Sequence, residues 1–122
     1  MAKTVMVVDD SASLRAVVSM ALKGAGYDVL EGADGKDALA KLDGRKVNLI
    51  ISDLNMPNMD GLSFLKAVKA LPNYKFTPFI MLTTESQESK MKEGQAAGAK
   101  AWVVKPFKPD QMLTAVAKLC LP

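Results

Sequence analysis

The sequence predicts a doubly wound α/β domain, one five-stranded parallel sheet with helices on both faces. Three observations predict it. Short β-branched or apolar runs alternate strictly with longer stretches of helical spacing, five of each. The strand runs are apolar on both faces, as strands covered above and below must be. A chain of 122 residues fits one compact domain, so these elements share one core.

Each element has its own signal. Thr4 to Val8 reads as the first strand. Leu14, Val17, Val18, Ala21 and Leu22 follow at helical spacing, with Ser11 or Ser13 as the cap and Gly24 and Gly26 as the stop. Tyr27 to Leu30 is a second short strand. Gly35 to Leu42 is a short helix capped by Asp34. Val47 to Ile51 is the third strand, apolar apart from Asn48. Gly61 to Leu71 repeats the helical spacing through Leu62, Leu65 and Val68. Phe79 to Leu82, Ser86 to Ala97, Ala99 to Val104 and Pro109 to Leu121 complete the alternation as strand, polar helix, strand and helix. The polar helix has only Met91 and alanines to bury, and Gly94 inside it costs about 1 kcal/mol relative to Ala.

Composition narrows the function. Hydrophobic residues are 49% and charged residues 24%, the balance of a soluble globular protein. The net charge of +3 is a mild excess spread from Lys3 to Lys118. The aromatics (one Trp, two Tyr, four Phe) lie outside any basic cluster of the sequence, so a nucleic-acid footprint is not expected. No apolar run approaches the length of a membrane span, and the start has no signal-peptide core, so neither membrane insertion nor export is expected. The single cysteine, Cys120, suits a reducing cytoplasm and reads as a packed thiol of the last helix. The absence of histidine excludes an internal phosphohistidine or His-based relay, so any phosphoryl donor is another molecule.

In open parallel sheets, sites form beyond the carboxyl ends of the strands. The first strand leads into Asp9 and Asp10, the third into Asp53, the fourth into Thr83 and Thr84, the fifth into Lys105-Pro106. Each residue alone is an ordinary turn, cap or surface residue; together they put three acids, a hydroxyl and an ammonium on one rim. Three clustered acids repel one another, and a divalent cation such as Mg²⁺ relieves this, since it takes hard oxygen ligands and keeps sites open for a phosphate. With Mg²⁺ and Lys105 the charge sums to zero. A carboxylate can then act as a phosphoryl-accepting nucleophile. Asp53, alone at the end of a central strand, is the candidate; Asp9 and Asp10 would hold the metal, while Thr83 and Lys105 would bind phosphoryl oxygens.

The stretches VMVVDD, DLNMPNMDG, MLTTE and GAKAWVVKPF resemble, in order and spacing, the receiver domain of bacterial two-component response regulators, most closely the stand-alone, chemotaxis (CheY)-like type. The resemblance covers essentially the whole chain. It implies the flavodoxin-like strand order 2-1-3-4-5 and a single receiver domain over 1–122 with no effector domain. It implies a histidine kinase as phosphoryl donor to Asp53, and Mg²⁺ bound by Asp10, Asp53 and the Asn55 carbonyl, with Asp9 acting mostly through water. Thr83 and Lys105 would engage the phosphoryl group, and the Lys105-Pro106 bond would be cis. Trp102 stands where the family carries a switching Tyr or Phe; as read from sequence it is either that switch or a packing residue. Asn55, Thr84 and Glu85 occupy positions that tune dephosphorylation. Thr84 stands where a smaller residue is frequent, so Thr84→Ala is expected to change the lifetime of the aspartyl phosphate; equal decay rates of the two phosphorylated proteins would refute this. The downstream partner would bind the face made by helix 86–97, strand 100–104 and helix 109–121, and the chain is expected to be a cytoplasmic monomer that catalyses nothing beyond its own phosphorylation and dephosphorylation.

Other functions fit less well. A haloacid-dehalogenase-like phosphatase would need D-x-D after the first strand, where this chain has adjacent Asp9-Asp10. A flavodoxin-like FMN carrier would need a Ser/Thr/Gly-rich phosphate loop there, and two acids would repel its phosphate. A constitutive adaptor on the same fold would have no need of the complete acid set.

Overall fold

The computed structural model describes residues 3–83, 91–105 and 108–119. It contains β1 (Thr4–Val8), α1 (Ala12–Gly24), β2 (Asp28–Gly32), α2 (Gly35–Leu42), β3 (Leu49–Asp53), α3 (Gly61–Lys69), β4 (Phe79–Thr83), α4 (Met91–Ala97), β5 (Ala101–Val104) and α5 (Pro109–Leu119). All strands are parallel, in the order β2-β1-β3-β4-β5.

Side-chain alternation along the strands explains the layers. Met6, Val8, Ile50, Phe79 and Met81 point to one core with Ala38 and Leu42 of α2 and Phe64, Leu65 and Val68 of α3. Val5, Val7, Leu49, Ile51, Ile80 and Leu82 point to the other, with Val18 and Leu22 of α1 and Met112 and Val116 of α5. Successive strand residues face opposite ways, so a strand covered by helices on both sides must be apolar throughout. β3 and β4 are buried at every position. Each large side chain so buried contributes about 1.5–3 kcal/mol.

Three helices begin at the caps their sequences offer. Ser11 Oγ accepts from Leu14 N (3.3 Å), Asp34 Oδ1 from Asp37 N (2.8 Å) and Asp60 Oδ1 from Ser63 N (2.7 Å). Asp34 also accepts from Asn58 Nδ2 through Oδ2 (2.8 Å), so the α2 cap braces the loop after β3. The Asp37 N–H, then Asn58, hold the Asp34 carboxyl below its usual range. A depressed carboxyl stabilises the fold above its unfolded value and loses that contribution as pH falls through the folded one. Asp34→Ala is therefore expected to melt at lower temperature than the parent near neutrality. The gap should close as pH is taken below 3.8, the ordinary value, in melts across pH.

Several element boundaries differ from the sequence reading, for physical reasons. β2 runs over Asp28–Gly32 rather than Tyr27–Leu30, because its ladder with β1 continues to Val8↔Gly32. β3 starts at Leu49 rather than Val47. Asn48 is used to close the start of β1: its Oδ1 accepts from Thr4 N (2.9 Å) and its own N–H donates to Thr4 O (2.8 Å). The ladder then carries β3 through Asp53 itself. α3 stops at Lys69, two residues before the expected Leu71, and β4 includes Thr83. β5 starts at Ala101 rather than Ala99, since Gly98 (φ +117°) turns the chain and Ala99 N donates to Gly94 O (3.0 Å) to finish α4. In α4 the buried residue is Gly94, whereas Met91 is half-buried and Ala96 exposed. The expected helix positions 86–90 and Cys120 and Leu121 lie outside the described residues.

Candidate functional site

The carboxyl ends of β1, β3, β4 and β5 meet at one rim, as the sheet order requires. Asp9 follows β1 and is 2% exposed; Asp53 ends β3 and is 8% exposed; Thr83 ends β4 and is 1% exposed. Asp10 is exposed, so the acidic pair divides into one acid inside and one facing water. Carboxylate oxygens of Asp9, Asp10 and Asp53 all lie within 4.8 Å of one another, a group able to hold a metal ion.

Lys105, just past β5, reaches across the sheet end. Its Nζ lies 3.0 Å from Asp53 Oδ1 and 3.5 Å from Asp9 Oδ2. The backbone aims it, because Lys105 N donates to Thr83 O (2.6 Å), continuing the β4–β5 pairing one step past Thr83↔Val104. Leu54 N also donates to Asp53 Oδ1 (3.0 Å), so both donors engage the same oxygen.

Asp9 is fixed differently. Its Oδ1 accepts from Ser11 N (2.8 Å). Its Oδ2 is buried and accepts no hydrogen bond among the described residues, Lys105 being an ion-pair neighbour only. Burial pushes the Asp9 carboxyl above its usual range and the Asp53 charge adds to the push; the Ser11 N–H and Lys105 oppose them. A buried acid with an unsatisfied oxygen, among two more acids, is a donor set suited to a hard divalent cation.

The loop after β3 delivers Asn55 to the rim as an exposed residue. It is closed by Gly61 N donating to Leu54 O (2.8 Å), and Asn58 turns it in the left-handed region (φ 66°). Gly61 is glycine because a Cβ there would lie 2.2 Å from Asp53 O. Sequence reasoning read Gly61 only as a helix start.

It also missed Arg15. One turn into α1, Arg15 Nη1 donates to Asp9 O (2.6 Å) while its Nε binds Glu31 Oε1 (3.2 Å), pinning the end of β1. No local pattern announces that long-range pairing. Trp102 lies in mid-β5, opposite Met81, packed toward the α2/α3 core and over Gly94. Its Nε1 is buried and finds no hydrogen-bond partner among the described residues. Thr84, Glu85 and Pro106, with the expected cis bond, lie outside the described residues.

Comparison with known proteins agrees with this arrangement. The family model described as the response regulator receiver domain matches residues 5–117. Chemotaxis protein CheY1 of Helicobacter pylori is 40% identical over 107 residues, 86% of each chain. The structure of Vibrio cholerae chemotaxis protein CheY4 superposes with a TM-score of 0.92 at 48% identity, covering 98% of this chain and 99% of that one. The receiver domain of a Pseudomonas aeruginosa sensor histidine kinase, with a magnesium ion coordinated in its active site cleft, shares the fold at 24% identity and a TM-score of 0.89, over 98% of each chain. With five parallel strands in the order 2-1-3-4-5 and the acids gathered at their carboxyl ends, the chain belongs to the response regulator receiver domain family, the phosphorylation-dependent signalling modules of two-component systems.

Proposed function

We propose that Asp53 accepts a phosphoryl group from the phosphohistidine of a histidine kinase, with Mg²⁺ bound at Asp9, Asp10, Asp53 and the Asn55 carbonyl. The observation that carries this is the convergence of Lys105 and three acids at one rim. Three carboxylates and one ammonium leave a charge of −2, which a divalent cation neutralises.

Since the described donors engage Asp53 Oδ1, Oδ2 is the attacking oxygen. The bond from Oδ2 to phosphorus forms as the donor's P–N bond breaks, and the leaving imidazole takes up a proton. Mg²⁺, when bound, supplies charge neutralisation for the phosphoryl oxygens. The Lys105 ammonium shifts its interaction from carboxylate to phosphoryl oxygen, and the Thr83 hydroxyl binds another. Asn55, Thr84 and Glu85, which follow Asp53 and Thr83 closely in the sequence, are the candidates to tune attack by water on the acyl phosphate. New charge-assisted hydrogen bonds of about 1.5–3 kcal/mol each are enough to bias a two-state element.

The signal leaves by phosphorylation-dependent binding of a downstream partner protein in the cytoplasm. The output face consists of α4, β5 and α5. Supporting it is an open groove of about 370 Å³ between β5 and α5, lined by Trp102, Val103, Gln111, Thr114 and Lys118 among others. No helix among the described residues is long and apolar enough to cross a membrane.

Incubation with acetyl phosphate and Mg²⁺ tests the reading. Intact mass should rise by one phosphoryl group, Trp102 fluorescence should change, and both should vanish in Asp53→Asn or after chelation. An unchanged parent mass, or an equal gain in the Asp53→Asn variant, would overturn it.

A further inference from the structure

Phe76, 87% exposed, is the most exposed large apolar side chain among the described residues. It lies in the loop before β4, at the amino end of the sheet. Lys75 reaches over the ring, its Nζ 5.7 Å from the centroid. Folding adds Lys69 from the end of α3 and Lys100 from the approach to β5; with Ala97 and Gly98 they line an open groove of about 300 Å³. In chain order no aromatic sits in a basic cluster, but in three dimensions Phe76 does. Among the described residues, no carboxylate lines this groove.

The lysines are arranged, not merely present. Lys69 Nζ donates to Thr77 O, and its methylenes pack at Gly98, where an added Cβ would lie 3.2 Å from Lys69 Cε. Burial, then the like charge of Lys100, hold the Lys69 ammonium below its usual range. A desolvated cation repelled by its neighbour gains more from an incoming carboxylate than a free surface lysine does. The exposed ring beside it offers apolar contact to the same visitor.

We propose that this groove docks an acidic, aromatic-bearing segment of a partner protein. Three ammoniums, with no acid between them among the described residues, set the charge of the occupant, and Phe76 sets its apolar part. The footprint is too small and too poor in aromatics for a nucleic-acid strand, which wants a basic track with several stacking rings. β4 and β5 separate the groove from Thr83 and Lys105 by about 15 Å at 3.3 Å per residue. Docking here is therefore a tether that persists in both states of Asp53, distinct from the phosphorylation-dependent face.

The test uses a fluorescein-labelled peptide of glutamates interspersed with phenylalanines, titrated with the full chain by polarisation. Saturable binding is expected, weakening as salt rises. Phe76→Ser, Lys75→Glu and Lys100→Glu, all exposed positions, should each weaken it about tenfold or more with unchanged melting temperature. Asp53→Asn should bind as the parent does, so failure of phosphoryl acceptance and failure of this groove are read separately. No binding at millimolar peptide, equal affinity in the three variants, a requirement for intact Asp53, or tighter binding of an oligothymidylate than of the peptide would each overturn the proposal.

Discussion

Gly61→Ala is expected to lower the melting temperature by roughly 12 °C, a loss of about 3 kcal/mol for a domain of this size. The direction decides the question, because Gly61 is the first residue of α3, where alanine by itself would favour the helix by about 1 kcal/mol. The cost comes from the new Cβ. It would lie 2.2 Å from Asp53 O and 2.8 Å from Leu54 Cα, and both are backbone atoms that cannot rotate away. Relief requires α3 to back off from the end of β3, which stretches the 2.8 Å hydrogen bond from Gly61 N to Leu54 O and moves the loop that carries Asn55. Phosphorylation by acetyl phosphate should therefore slow as well, measured at a temperature where the variant is still folded. Gly24→Ala is the control. It sits at the end of α1 with nothing within 4 Å of the added Cβ, so it should leave the melting temperature unchanged or raise it slightly. A Gly61→Ala protein as stable as the Gly24→Ala protein would show that the close approach is unimportant.

That contrast shows which parts of the molecule the sequence discloses. Element order and sheet type are legible because they rest on periodicity, and the two-sided burial of Ile50, Ile51, Ile80 and Met81 is written in unbroken apolar runs. The site is legible for a related reason: a parallel sheet brings its strand ends together, so Asp9, Asp53, Thr83 and Lys105 meet without any need to know side-chain contacts. Boundaries are less legible, because ladder register rather than composition decides them. Asn48 closes the start of β1 instead of joining β3, and Ala99 finishes α4 instead of opening β5. Least legible are positions whose meaning lies across the fold. Arg15 has no local partner to suggest Asp9 and Glu31, and nothing near Phe76 in the chain except Lys75 predicts Lys69 and Lys100. Gly94 reads as a defect in a helix until its neighbour is known.

That neighbour is Trp102, and the pair yields the second large effect. A Cβ on Gly94 would lie 2.3 Å from Trp102 Cζ3 and 3.0 Å from Cη2, so alanine there and the indole in place exclude each other. Gly94→Ala is expected to destabilise the protein by about 2 kcal/mol, as overpacking of a well-filled site does. It should also shift Trp102 emission to the red as the ring is driven toward water. In a Trp102→Ala background the obstacle is gone and only helix propensity remains, so the same substitution should stabilise by about 1 kcal/mol. The coupling between the two positions is then about 3 kcal/mol, with a change of sign that no purely local account of a glycine in a helix can produce. The unpartnered Nε1 bears on the same equilibrium, since a buried donor left unsatisfied costs about 1–3 kcal/mol and would be relieved by an orientation that reaches water. The glycine thus makes room for the indole. Melting curves of the four proteins in the cycle, with emission spectra of the two that retain the indole, decide it; Gly94→Ala acting in the same direction with and without Trp102 would dissolve the pairing.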